Sequence, residues 1–288
     1  GPASRLRRGL PPWLLCPVVL VCWLAPVDLL TLLASGAVAG ILAGLLGIGG
    51  GVVIVPIVTL LFEQQGIASE MAIKMALGTS LATIVVTAIS SIYSHHRRGA
   101  VDWGLFRSMG SGVFVGSLLG AGLADLLPGD WLYLAFTAFL FAIALQMTLG
   151  RVSARRDLPG PAVLAATSTG VGMVSALLGI GGGTLHVPFL SYCGVPLKRA
   201  IATAAAVGLP LAISGTLGYL IGGLDERGLP AGSFGYVNLP VFASVVAASL
   251  LCAPLGAALA HRLPELLLRR LFAVFLFLLA TRMAYGLL

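Results

Sequence analysis

Charge is what this 288-residue chain has least of: 17 Lys and Arg with 10 Asp and Glu make 9% of the sequence, against about 25% in an ordinary soluble domain. So few charges cannot cover a water-facing surface, which excludes a soluble enzyme or a nucleic-acid binder. The four cysteines, Cys16, Cys22, Cys193 and Cys252, stand singly in apolar segments with no C-x-x-C pair. That excludes a disulfide framework or a cysteine metal site and leaves packing roles. The Gly-rich run at Gly47 to Gly51 is not followed by Lys-Ser or Lys-Thr, which argues against an ATP-driven pump. No nucleophile with its base, acid-base pair or metal cluster is recognisable, so neither an enzyme nor a cofactor is expected. The net charge of +7 then concerns loops and orientation.

What is present is apolar sequence, 58% of the chain. Uncharged stretches of 19 to 40 residues run from Gly9 to Val27, Leu29 to Phe62, Met75 to Ser94, Trp131 to Gly150, Leu158 to Leu197, Ala200 to Leu224 and Gly228 to Ala260. About 20 apolar residues cross a bilayer as a helix, and these continuous runs lack the alternation of barrel strands. A polytopic all-α membrane protein is predicted. Residues 1–28 read as an N-terminal tail and first membrane helix, with a signal peptide as the alternative for Leu10 to Ala25, which follows Arg5, Arg7 and Arg8.

The rest is duplicated. Gly44-Leu-Leu-Gly-Ile-Gly-Gly-Gly51, closed by Val55-Pro56, recurs 132 positions later as Ala176-Leu-Leu-Gly-Ile-Gly-Gly-Gly183, closed by Val187-Pro188. Downstream, Val101, Gly120, Leu123, Pro128, Phe136 and Phe139 match Val237, Gly256, Leu259, Pro264, Phe272 and Phe275 at an offset of 136. Extra residues around Asp225 to Gly235 account for the drift. Residues 29–150 and 151–288 are therefore two repeats of one membrane domain.

Basic loops mark the cytoplasmic side. His95-His96-Arg97-Arg98, Arg151 with Arg155 and Arg156, Lys198-Arg199, and Arg262 with Arg269 and Arg270 should lie inside, and Asp125, Asp130 and Asp225 outside. Pro161 to Val195 would then start and end inside, and its homologue, Leu29 to Phe62, would start and end outside. About 35 residues are too long for one 30 Å crossing and too short for two, which fits a re-entrant hairpin turning at the glycines. Each half holds one Gly-rich broken or re-entrant helix plus three spanning helices, an odd number of crossings, so the halves form an inverted repeat. A rival parse makes each long stretch one tilted span followed by a short interfacial helix.

Successive glycines at the start of a half-helix leave N–H groups uncovered at the positive end of the dipole, an anion site. Close helix packing is the alternative use of a single copy; two copies at opposite hairpin tips favour the anion.

These residues also carry a resemblance. The duplicated Gly-Leu-Leu-Gly-Ile-Gly-Gly-Gly-x-x-x-Val-Pro pattern, Ala76-Leu-Gly-Thr-Ser-Leu81 and Arg97-Arg-Gly-x-Val-Asp-Trp103 are similar to the TauE/SafE family of membrane transporters, from Leu32 to Leu288. The resemblance implies movement of sulfite or small organosulfonates such as sulfoacetate. Where the first half has Gly78-Thr79-Ser80, the second has Ala206-Val207-Gly208, so any hydroxyl contribution is one-sided.

Ionisable residues in apolar helices are functional candidates. His186, three residues past the second glycine triplet, could donate to an anion or carry a proton, or be a hydrogen-bonded core histidine; its counterpart is Ile54. Lys74 reads as a snorkelling interfacial lysine, and His95 and His96 as topology anchors. The substrate-binding set expected is Gly47, Gly49, Gly50, Gly51, Thr79 and Ser80 with Gly179, Gly181, Gly182, Gly183, Thr184 and His186. The expected protein is a multi-pass inner-membrane secondary transporter of a small sulfur oxyanion, working by alternating access. A proton-coupled carboxylate carrier and an anion channel are the alternatives. Its partners are the anion, the bilayer and a coupling proton or cation, with homo-oligomerisation open and no nucleic acid.

Overall fold

The computed structural model describes residues 30, 32–34, 36–41, 50–149, 157–260 and 265–286. The expectations for residues 1–28 and for Gly47 and Gly49 lie outside these. After a helical stretch at Leu32–Ile41, the helices are α1 (Gly51–Gln64), α2 (Ser69–Arg97), α3 (Trp103–Leu126), α4 (Gly129–Leu149), α5 (Pro161–Leu177), α6 (Gly183–Tyr192) and α7 (Leu197–Gly222). A two-stranded ribbon, β1 (Ser233–Phe234) and β2 (Val237–Asn238), precedes α8 (Leu239–Ala260) and α9 (Glu265–Gly286). The protein is an all-α polytopic membrane protein. Among the described residues four helices, α2, α3, α4 over Gly129–Thr148, and α7, are long and apolar enough to cross a membrane. Val115, Leu118, Leu119 and Leu126 of α3 and Trp131, Leu134 and Leu145 of α4 are exposed on the outside of the bundle, where lipid tails would cover them.

Local sequence accounts for the boundaries. Asp102 caps α3, its carboxylate accepting from the N–H groups of Gly104 (3.0 Å) and Leu105 (3.1 Å). Pro161 opens α5, where its missing N–H costs nothing. The two short helices each hold a proline, Pro56 and Pro188, which removes the hydrogen bond to the carbonyl four residues earlier.

Contacts between helices fix their directions. In α3 the row Gly112, Gly116, Gly120 lies against Ala165, Thr169 and Met173 of α5 in the same order, so α3 and α5 run parallel with backbones nearly touching. Gly182, just before α6, lies on Ala204 and Gly208 of α7, whereas the other end of α6 joins the start of α7 within five residues. Helix α6 therefore runs antiparallel to α7. Gly215 and Gly78 place α7 antiparallel to α2, through the pairs Gly215 with Leu81 and Gly78 with Tyr219. In direction, then, α5 and α6 form a hairpin: α5 follows α3 and α6 comes back along α7.

The first half shows the same relations. Gly36 and Gly40 of the Leu32–Ile41 stretch lie on Val245 and Ser249 of α8, parallel to it, and Gly51 lies on Ser80 and Ile84 of α2 while the other end of α1 joins the start of α2. Each half thus lays its first helix on the other half: Leu32–Ile41 on α8, and α5 on α3.

One end of the bundle gathers Glu70, Lys74, Asp125 and Asp130. The carboxylate of Glu70 accepts from Gly129 N–H (3.1 Å) and the ammonium of Lys74 donates to the Asp125 carbonyl (2.9 Å); Gly222, three residues before Asp225, lies on Asp125. The opposite end carries Arg97, Arg98, Lys198 and Arg199, joined across the halves where Asp102 N–H donates to Thr203 Oγ1 (3.1 Å). The segregation of acidic and basic ends follows the grouping read from the loop charges.

Candidate functional site

The two glycine runs meet. A Cβ on Gly51 would sit 2.7 Å from the carbonyl oxygen of Gly179 and 3.1 Å from Ser80 Oγ. Ser80 Oγ in turn donates to the Gly179 carbonyl at 2.8 Å. The start of α1, the middle of α2 and the turn between α5 and α6 therefore converge at one point. Ser80 lies eleven residues past Ser69 in a helix of 29 residues, about 17 Å along about 43 Å. Gly50, Gly51, Gly179, Gly181, Gly182 and Gly183 are all buried.

The glycines serve different ends. Gly50 (φ 72°) and Gly179 (φ 59°) occupy the left-handed region, where a β-branched residue is strained. Gly182 does not: its φ is −56°, ordinary for a helix. At Gly182 the need is contact, because a Cβ would lie 3.0 Å from Gly208 Cα. Gly208 stands where the first half has Ser80, so α7 meets this turn by close backbone approach at Gly182, while α2 meets it through the Ser80 hydroxyl at Gly179.

Helix geometry points the first-turn N–H groups of α1 and α6 back toward this junction. Thr184 is buried in the first turn of α6. His186, fully buried, places Nδ1 3.0 Å from the carbonyl of Gly182, and its Nε2 is buried with no partner. The hydroxyl of Ser175, in the last turn of α5, is likewise buried without a partner. In an apolar interior such groups cost free energy, so unspent hydrogen-bonding capacity is concentrated on the α5–α6 hairpin. Tyr219 Oη anchors that hairpin from α7, donating to the Ala176 carbonyl at 3.1 Å.

Thr79 has a neighbouring role. Its Oγ1 accepts from Asn238 N–H at 3.0 Å, and Asn238 Oδ1 caps α8 by accepting from Val241 N–H at 3.1 Å. Asp102 and Asn238 match at the repeat offset of 136. Asp102 caps α3 and donates its backbone N–H to Thr203 on α7; Asn238 caps α8 and donates its backbone N–H to Thr79 on α2. These two clasps lie at opposite ends of the bundle. They were missed in the sequence, although an Asx residue ahead of an apolar run at the repeat spacing is the signal that would have found them.

The residues inserted in the second half are mostly exposed, and the segment that follows them, Gly235 to Asn238, turns inward. Tyr236 is 2% exposed, packs edge-to-face on Tyr219 and donates to Asp125 Oδ1 at 3.2 Å, and the Lys74 ammonium stands 5.8 Å from its ring centre. Lys74 is thereby tied to the α3 end and to this ribbon, at the acidic end of the bundle. The ribbon covers the approach to Thr79 from that end.

Comparison with known proteins gives the family. The family model described as sulfite exporter TauE/SafE matches residues 32–283. A probable membrane transporter protein of Haemophilus influenzae is 34% identical over 259 residues, covering 88% of this chain and 97% of the relative. One of Methanocaldococcus jannaschii is 33% identical over 216 residues, 73% and 78% of the two chains. A third, from Bacillus subtilis, is 26% identical over 245 residues, 82% and 91%. No solved structure matches the chain. With the family match spanning nearly all the described helices, the chain belongs to the sulfite exporter TauE/SafE family of membrane transporters.

Proposed function

We propose that the protein is a secondary transporter of a small sulfur oxyanion, sulfite or an organosulfonate, that holds the anion where the two glycine tips meet and works by alternating access. The observation that carries this reading is the junction itself: Gly51, Ser80 and Gly179 in contact near mid-helix, beside a hairpin with unpartnered polar groups at Ser175 and His186. Helix starts aimed at a water-excluded point favour an anion, and broken helices near the midplane are where secondary transporters bind substrate. The halves form an inverted pair in this reading, supported by the antiparallel α2 and α7, with one hairpin entering from each membrane face. The Arg98 and Lys198 end faces the cytoplasm by the positive-inside rule, across a bacterial inner membrane.

Counterflow is the test. Purified protein in liposomes preloaded with unlabelled sulfite should draw in labelled sulfite transiently against its gradient, and saturably. Flux that never saturates and shows no counterflow would make the protein a channel; counterflow with lactate and not with any sulfur oxyanion would replace the substrate class.

A further inference from the structure

His186 sits fully buried in the first turn of α6, its ring folded back on the helix start so that Nδ1 lies 3.0 Å from the Gly182 carbonyl. A carbonyl oxygen has no proton to give, so Nδ1 must carry the hydrogen of that bond. In the neutral ring the other nitrogen, Nε2, then bears a lone pair, and it is buried with no partner. A lone pair repels the oxygen of an anion. An oxyanion can settle against this nitrogen only if the ring gains a proton and becomes a donor, or if the ligand arrives carrying a proton of its own.

Resting on the transporter reading above, we infer that one proton from solution binds together with each anion, held between the ligand oxygen and Nε2 of His186, so that anion and proton move in the same direction. Among the described residues of α5, α6 and α7, no other group is placed to take over this role. Helix α5 has no ionisable side chain; α6 adds only Tyr192; and on α7 Lys198 and Arg199 are exposed at the basic end, while Tyr219 is spent on the Ala176 carbonyl. The matching position of the first half is Ile54, which limits the count to one. A singly charged anion would cross with no net charge.

The test is calorimetric titration of the full-length, detergent-purified protein at pH 8 with thiosulfate, methanesulfonate and sulfite, each in two buffers of different ionisation enthalpy. The difference between buffers counts protons taken up per anion bound; for sulfite the uptake due to its own hydrogen sulfite equilibrium in solution is subtracted. About one proton per anion is the expected result, with affinity falling about tenfold per pH unit above neutrality. In His186→Gln the uptake should vanish and the affinity should become independent of pH. If that variant does not fold, His186→Asn, which keeps an amide N–H in reach of the Gly182 carbonyl, takes its place, and the count on the parent protein decides by itself. Binding with no proton uptake in the parent, or uptake that persists in the variant, overturns the inference and leaves the transporter reading intact. Failure of all three anions to bind overturns both.

Discussion

Adding one methyl group at Gly51 should part the two tips. The new Cβ would lie 2.7 Å from the Gly179 carbonyl oxygen, where ordinary contact begins at 3.4 Å, so α1 and the α5–α6 turn must separate by about 0.7 Å. The Ser80 bond to that same carbonyl is 2.8 Å long, and a shift of this size along it takes it past hydrogen-bonding range. A buried carbonyl left unpaired costs about 1–3 kcal/mol, enough to lower the thermal midpoint but not to unfold a packed bundle. The consequence for function is larger, because the site is built from the relative placement of the tips. Gly51→Ala should therefore purify as a folded protein, melt a few degrees lower, and lose most of its uptake of labelled sulfite in liposomes. The controls are Gly122→Ala on α3 and Gly170→Ala on α5, where an added Cβ meets nothing within 4 Å; in a helix each should be neutral or stabilising by about 0.5–1 kcal/mol. Uptake by Gly51→Ala at the rate of these controls would refute the reasoning.

Ser80→Ala removes the same bond without the clash and should cost about 1–3 kcal/mol with partial loss of uptake, read by thermal melting and liposome flux. Gly116→Val, by contrast, should act through packing, since the side chain would run into Thr169 of α5: expression and thermal stability should fall sharply, with no selective change in anion response. Loss of either helix cap, in Asp102→Ala or Asn238→Ala, should cost about 1 kcal/mol in the same melting assay, with Asp102→Asn nearly neutral. Cysteines placed at Arg98 and Lys198 should react with an impermeant thiol reagent only in inside-out vesicles, and those at Asp130 and Asp225 only in intact cells; opposite labelling at 130 and 225 would break the hairpin topology.

The large features were legible because membranes impose them. Length and charge pointed to the long apolar helices α2, α3, α4 and α7, and the repeated Gly-Ile-Gly-Gly-Gly marked the segments that meet at Gly51 and Gly179. Contact partners were not legible. Gly182 reads as a backbone turn in the sequence, yet its φ is ordinary and its glycine is required by Gly208 on another helix. Thr79 and Ser80 read as open hydroxyls, yet one accepts from Asn238 and the other donates to Gly179. Both partners are about 100 or more positions away in the chain, and no local pattern encodes them. Tyr236 follows directly on the extra residues around Asp225 to Gly235 and carries no signal of its own in the sequence; it packs through Asp125 and Tyr219 from two other helices.

That the anion rests between the tips is tested most directly by an oxyanion that can be seen. Selenite mimics sulfite and scatters anomalously, so crystals of the protein grown with it should show a selenium peak bounded by Gly51, Gly179, Ser80 and His186, absent from crystals of Gly51→Ala. A peak found only among Arg97, Arg98, Lys198 and Arg199, with the junction filled by side chains in both crystals, would contradict the account.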